Sequence, residues 1–428
     1  MARSLKQQTL ILTLGNAFTR GLGFALHLIF ARMMGAEALG VMELAHSVGM
    51  LALTPVTAGV PTAMSRLTSR CKVDQPEVLR AGLRLNMLTA LLIIPVLLAL
   101  SPLLSWMLGD ARTLPAILLD IPCVLLLGQC AVYNGYCYGR QDTLTPALNE
   151  CLEQTLRFLL SAGLLLLLGG RSIALSAALP EGAELIAAAA ALMMFRLIIP
   201  PPRSLAPPSR ALMHEILRLS TPMVISRLCM TGMRTLNAVL LPVCLQRSGL
   251  SAAAATAQYG LLHGMAMPLM MLPGVITGAV CMVATPAVSR LEHKPRQLRR
   301  MIRQLNLSAA GIGLCAGAVL CLGAGFIGTV LYNQPALSPL IRFLCPLPLI
   351  FALNQAGGGI IAGLGLQRKS LTGTLAASAC SLLLTALLAR QPGWRLFGAA
   401  AAVIAGQLLG LLWNAGILWG FLRRQNHR

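Results

Sequence analysis

Three arginines stand out for what surrounds them. Arg20, Arg227 and Arg234 fall deep inside runs of apolar residues, with no acidic residue three or four positions away to share a helix face. Arg227 and Arg234 are seven residues apart, and Arg20 and His27 repeat that spacing. Seven residues is close to two helical turns, so each pair lies along one stripe of one helix. An unpaired charge in an apolar helix is costly unless it faces a wet cavity. There the planar guanidinium donates two parallel hydrogen bonds to a phosphate or carboxylate. The chemistry these residues point to is anion binding, and an anion natural to this setting is a lipid whose phosphate or pyrophosphate head enters the cavity while its tail stays in the bilayer. Two further features carry charge inward. Glu153 and Arg157 stand at i and i+4 in the favourable Glu-first order, an ion pair that is either structural or coupling. Glu43 lies near the outer end of an apolar segment, where it can serve as a cavity acid, whereas Asp120 is shallow enough to reach headgroups.

Catalytic and metal motifs do not compete with this reading. The 12 cysteines include no CxxC pair, and nearly all fall in apolar segments. Cys123, Cys130 and Cys137 share one helix face and read as small packing residues. GAGFIG at 323 to 328 sits inside an apolar segment with no strand before it, so it is helix packing and not a dinucleotide loop. No enzyme activity, metal site or cofactor is expected. A transport reading leaves the coupling ion, Na+ or H+, open. Asn237, Asn354 and Asn414 fit sodium ligands or, more simply, hydrogen-bonding groups between helices.

The elements that would position these residues are membrane helices. Of 428 residues, 56% are hydrophobic and 11% charged, with mean hydropathy +0.74, against about 25% charged in a soluble domain. Between residues 9 and 421 we count about twelve apolar segments, most of them near or above the ~20 residues that cross a bilayer. The sixth, 183 to 200, is short. The eighth, 256 to 286, contains Pro268 and Pro273 and is expected to kink. The net charge of +21 would suggest nucleic acid in a soluble chain, but its distribution argues otherwise. Only Arg32, Arg112, Arg171, Arg247, Arg390 and Arg395 fall in or beside loops on one side, while many more basic residues fall on the other. The positive-inside rule then places both termini in the cytoplasm, and the basic loops meet anionic headgroups. No nucleic-acid partner is needed. The first segment, preceded by Arg3 and Lys6, is too long for a cleaved signal and is read as a retained span.

The chain reads as two similar halves. Pro200, Pro201, Pro202, Pro207 and Pro208 make a basic, helix-breaking linker at 201–217 between bundles at 1–200 and 218–428. Ser65-Arg66-Leu67 closes the second segment and Ser289-Arg290-Leu291 closes the eighth, each before a basic loop. Two like-oriented six-helix halves are the mark of a parallel-repeat transporter, which holds substrate between the halves and rocks around it.

The same residues carry a family resemblance. GNAFTRGLGFALHLIFARMMGAEALGVMELAHSVGMLALTPVTAGVPTAMSRL, from Gly15 to Leu67, resembles the opening of the stage V sporulation protein B family. GRQDTLTPALNECLEQTLRFLL (139 to 160) and AAATAQYGLLHGMAMPLMMLPGVITGAVCMVATPAVSRL (253 to 291) are similar to its fifth- and eighth-helix regions. That family sits with the oligosaccharide and lipid II flippases in the multidrug/oligosaccharidyl-lipid/polysaccharide exporter superfamily. The resemblance implies an all-α, MATE-like membrane fold. It also implies a flippase or exporter in the bacterial plasma (inner) membrane, moving an undecaprenyl-linked peptidoglycan, spore-cortex or polysaccharide precursor by alternating access. The implied partners are this lipid-linked anionic glycan and membrane lipids, with the protein a monomer. Arg20 falls where the family usually has a basic residue, and His27 where it commonly has Arg, so a fixed charge becomes a pH-dependent one. Ile29 replaces a frequent Pro, and many members have fourteen helices where this chain has about twelve. Two rival readings remain at this point. One is a MATE-type cation or drug exporter, which would need deep carboxylates. The other is a non-transporting scaffold for cell-wall enzymes, which would tolerate loss of the cavity arginines.

Overall fold

The protein, seen in a computed structural model that describes residues 5–70, 75–202, 209–291 and 294–426, is helical, with no strand among the described residues. Helix α1 (Leu5–Thr57) has 53 residues, about 80 Å at ~1.5 Å per residue, more than twice the ~30 Å of a hydrocarbon core. It breaks at Gly35, whose φ of 73° and ψ of 176° are essentially restricted to glycine. Its two arms, 5–34 and 36–57, supply the first and second spans, and α2 (Val60–Thr68) continues the second. Helices α3 (Gln75–Met107), α4 (Leu114–Gly139), α5 (Leu144–Leu168), α6 (Ile173–Ile198) and α7 (Arg210–Arg247) follow.

Beyond α7 the eighth expected span is broken as its prolines require. It runs as α8 (Ala252–Tyr259), a π-helical stretch Gly260–Ala266, α9 (Met267–Met271) and α10 (Pro273–Arg290). Next come α11 (Pro295–Phe326), then α12 (Leu337–Leu344) and α13 (Leu347–Gly363), which meet at 45° around Pro346, and finally α14 (Gln367–Leu388) and α15 (Arg395–Asn426). Among the described residues nine helical segments are long and apolar enough to cross a membrane, or eleven with the two bent pairs. Dividing α1 at Gly35 brings the number to about twelve.

One boundary differs from the sequence reading. α6 begins at Ile173, well before 183, and Ser172 caps it by accepting the Leu175 N–H at 3.2 Å. The helix runs on through Pro180, Glu181 and Glu184. These residues depress local hydropathy and hide its first turns from a hydropathy reading.

Packing groups Met1–Val239 into one compact unit and Leu240–Arg428 into another, so the division falls within α7. The sequence reading has α7 opening the second half. Its larger part instead packs on the first unit: Thr235 Oγ1 donates to the Ser47 carbonyl at 2.9 Å, Thr54 Oγ1 donates to Thr231 Oγ1 at 3.3 Å, and Arg70 pairs with Glu215. Residues 203–208 of the expected linker lie outside the described residues.

In the first unit α4 and α6 are the most enclosed helices. Tyr133 and Phe195 stack across them at 5.2 Å, and Cys123, Cys130 and Cys137 all lie on the buried face of α4. Outer helices expose leucines instead: Leu92 at 72%, Leu167 at 78% and, in the second unit, Leu322 at 88%. Such surfaces would be untenable in water and cost nothing in lipid. The protein is a multi-pass membrane protein. Polar contacts gather at both ends of the first bundle. Arg112 reaches Glu37 (2.6 Å) and Asp110 (2.7 Å) beside the Gly35 turn, while the Ser209 N–H donates to Glu77 at the opposite end.

Candidate functional site

Arg20 lies on the first arm of α1, and Arg227 and Arg234 lie on α7; all three are exposed. None has a carboxylate within 4.0 Å among the described residues. Thr231 and Thr235 hold α7 against the second arm of α1. At ~100° per residue this sets Arg227 and Arg234 together on the flank of that contact stripe. Arg20 stands on the first arm of α1.

His27 has a different setting from the one expected. The Gly35 break folds α1 back so that His27 Nε2 lies 3.3 Å from Glu43 Oε1, each eight positions from the turn. His27, expected to share a stripe with Arg20, and Glu43, expected as a separate cavity acid, thus form one acid–imidazole contact between the two arms. Arg157 also changes partner. Its Nη2 meets Glu184 Oε2 at 2.9 Å across the α5–α6 seam, in place of Glu153 one turn away on its own helix. The Glu184 side chain is 11% exposed. A buried carboxylate in lipid gains more from a guanidinium than a partly solvated one does, which accounts for the direction Arg157 takes.

Glu184 belongs to a larger group that sequence reasoning did not assemble. Glu181 is one turn earlier on α6, Asp120 comes from α4, and His46 comes from the second arm of α1. One ligand-capable atom from each of His46, Asp120, Glu181 and Glu184 lies within 4.8 Å of all the others. Glu181 is 1% exposed and Asp120 7%, so Asp120 does not reach outward to headgroups. Room for its carboxyl comes from Gly49, where a Cβ would overlap Asp120 Oδ2. The Asp120 and Glu181 carboxyl groups face one another, and no other group among the described residues donates to Asp120 Oδ2 or Glu181 Oε2. The one local signal was the Glu181/Glu184 spacing at i and i+3, masked by the late start assigned to the sixth span.

Asn354 and Asn414 make contacts between helices. Asn354 Nδ2 donates to the Gln407 carbonyl at 2.9 Å, and Ser370 Oγ donates to Asn414 Oδ1 at 3.0 Å, tying α13, α14 and α15 together.

Comparison with known proteins identifies a family and a fold. Residues 5–292 match the family model described as "Polysaccharide biosynthesis protein". Stage V sporulation protein B of Bacillus subtilis (strain 168) is 25% identical over 425 residues, spanning 95% of this chain and 82% of that protein. Lipid II flippase MurJ of the same organism is 23% identical over 463 residues, spanning 100% and 84%. Among solved structures, an inward-facing multidrug resistance MATE family transporter of the MOP superfamily matches with TM-score 0.77 at 17% identity, over 94% of each chain. That likeness is one of fold.

Proposed function

The chain belongs to the polysaccharide biosynthesis protein family, and from that premise we propose that it is a flippase for a lipid-linked, anionic cell-wall or polysaccharide precursor, working by alternating access. The observation that carries this reading is the set of exposed arginines without acidic partners, Arg20, Arg227 and Arg234, in apolar helices of the first unit. A pyrophosphate head carries more than one negative charge. In a cavity of reduced dielectric several guanidinium groups hold it far better than they hold a neutral sugar. The substrate is moved and not chemically altered, so no catalytic group is required.

The excess of basic residues on one side orients both termini to the cytoplasm of the bacterial plasma membrane. The two compact units, Met1–Val239 and Leu240–Arg428, supply the moving parts, and the protein acts as a monomer. The deciding experiment is reconstitution in vesicles with a fluorescent undecaprenyl pyrophosphate-linked sugar, following its loss from the accessible leaflet. The expected result is protein-dependent movement of the lipid without efflux of a cationic dye such as ethidium. The buried carboxylates Asp120, Glu181 and Glu184 are the observation that favours the rival cation exporter, and dye efflux without lipid movement would establish that rival.

A further inference from the structure

We propose that His46, Asp120, Glu181 and Glu184 form a binding site for one divalent cation of borderline hardness, Mn2+ or Zn2+ in type, within the first unit. Three features carry the inference. The first is geometric. Ligand atoms around such an ion lie ~2.0–2.4 Å from it and therefore no more than about 5 Å from one another, and the four candidate atoms here are mutually within 4.8 Å. The second is orphaned polarity. The Asp120 and Glu181 carboxyl groups face one another, Asp120 Oδ2 and Glu181 Oε2 are buried with no donor from any other group among the described residues, and the Glu181 side chain is 1% exposed. A buried acceptor of this kind demands a donor or a cation.

The third is charge. Three carboxylates face one guanidinium, Arg157, which is held on Glu184 at 2.9 Å. With all three ionised, two negative charges are left for a doubly charged ion to balance. The imidazole in the set selects against sodium, calcium and magnesium, which favour all-oxygen sites, and toward manganese or zinc. The surroundings supply the rest of what a metal site needs. Arg157 orients Glu184, Gly49 leaves space for Asp120, and the His46 side chain, 35% exposed, provides an entry path. An ion bound here would join the second arm of α1, α4 and α6.

The test is direct binding, made on purified, untagged, chelator-treated full-length protein without lipid substrate. Free Mn2+ is followed by electron paramagnetic resonance, and Zn2+ by titration calorimetry. The expected result is one equivalent of either metal per chain, abolished by Asp120→Asn and Glu181→Gln. Gly49→Ala, which crowds Asp120 without removing a ligand, should weaken binding by about 10- to 100-fold, as loss of outer support does elsewhere. His46→Gln guards against misfolding of the carboxylate variants, because it replaces a part-exposed group. It should weaken Zn2+ more than Mn2+. Absence of binding by either metal in the parent protein would overturn the proposal. So would binding unchanged in both Asp120→Asn and His46→Gln, or uptake of radioactive Na+ at this cluster without divalent binding. Lipid movement is not read in this experiment, so the flippase reading and the metal site fail separately.

Discussion

The interiors of the two units are built from different chemistry. Of 13 aspartates and glutamates in the chain, only Glu292 lies beyond Val239. The first unit encloses Arg157, Glu184, Glu181 and Asp120, and it pairs His27 with Glu43. The second unit is joined by neutral groups: Thr277 Oγ1 donates to Gln355 Oε1, Asn354 to Gln407, and Ser370 to Asn414. In lipid both kinds of contact stabilise helix pairs, but they differ in what they can bind. Amide and hydroxyl pairs satisfy each other and average ~0.6 kcal/mol. Clustered charges leave an imbalance that a substrate or an ion must complete. The comparison places the buried acidic groups in the first unit and neutral polar contacts between the helices of the second.

Transport should reveal the largest contrast. Arg20→Ala, Arg227→Ala and Arg234→Ala are each expected to abolish lipid movement while the protein still inserts, and Arg→Lys at the same positions should retain part of it. Arg342→Ala in the second unit should transport as the parent does. Equal loss from Arg342→Ala, or normal transport by all three first-unit alanine variants, would break the comparison.

Stability comes next. Arg157→Ala leaves Glu184 without its partner and should cost about 3–5 kcal/mol, read as unfolding in detergent. The double change Arg157→Met with Glu184→Met should recover most of that, because it removes both charges together. Gly35→Ala should cost about 1–3 kcal/mol, since φ of 73° with ψ of 176° strains any side chain.

In the second unit Gln355→Leu, which loses the Thr277 contact, should cost no more than about 1–2 kcal/mol. A loss there as large as that of Arg157→Ala would erase the distinction between charged and neutral interiors. The smallest effect is expected at His27→Ala. Its contact with Glu43 is partly solvated, with side chains 24% and 21% exposed, and is worth ~0.2–1 kcal/mol.

The sequence by itself determined that this is a membrane protein of about twelve spans, where the basic loops lie, and that a family-typical run surrounds Arg20. Those properties are local. Hydropathy over ~20 residues decides whether a segment enters lipid, and flanking charge decides its orientation. It also located the break before Pro273, where the eighth span bends by 46°, because proline removes a backbone donor and crowds the preceding turn. Partner choice was decided by tertiary structure alone. Arg157 has Glu153 one turn away yet takes Glu184 on α6, and His27 is joined to Glu43 because α1 folds at Gly35. His46, Asp120, Glu181 and Glu184 come from three helices and share no spacing along the chain. The free energy of a buried charge depends on which groups surround it in space, and in a helical bundle those neighbours are set by how the helices pack.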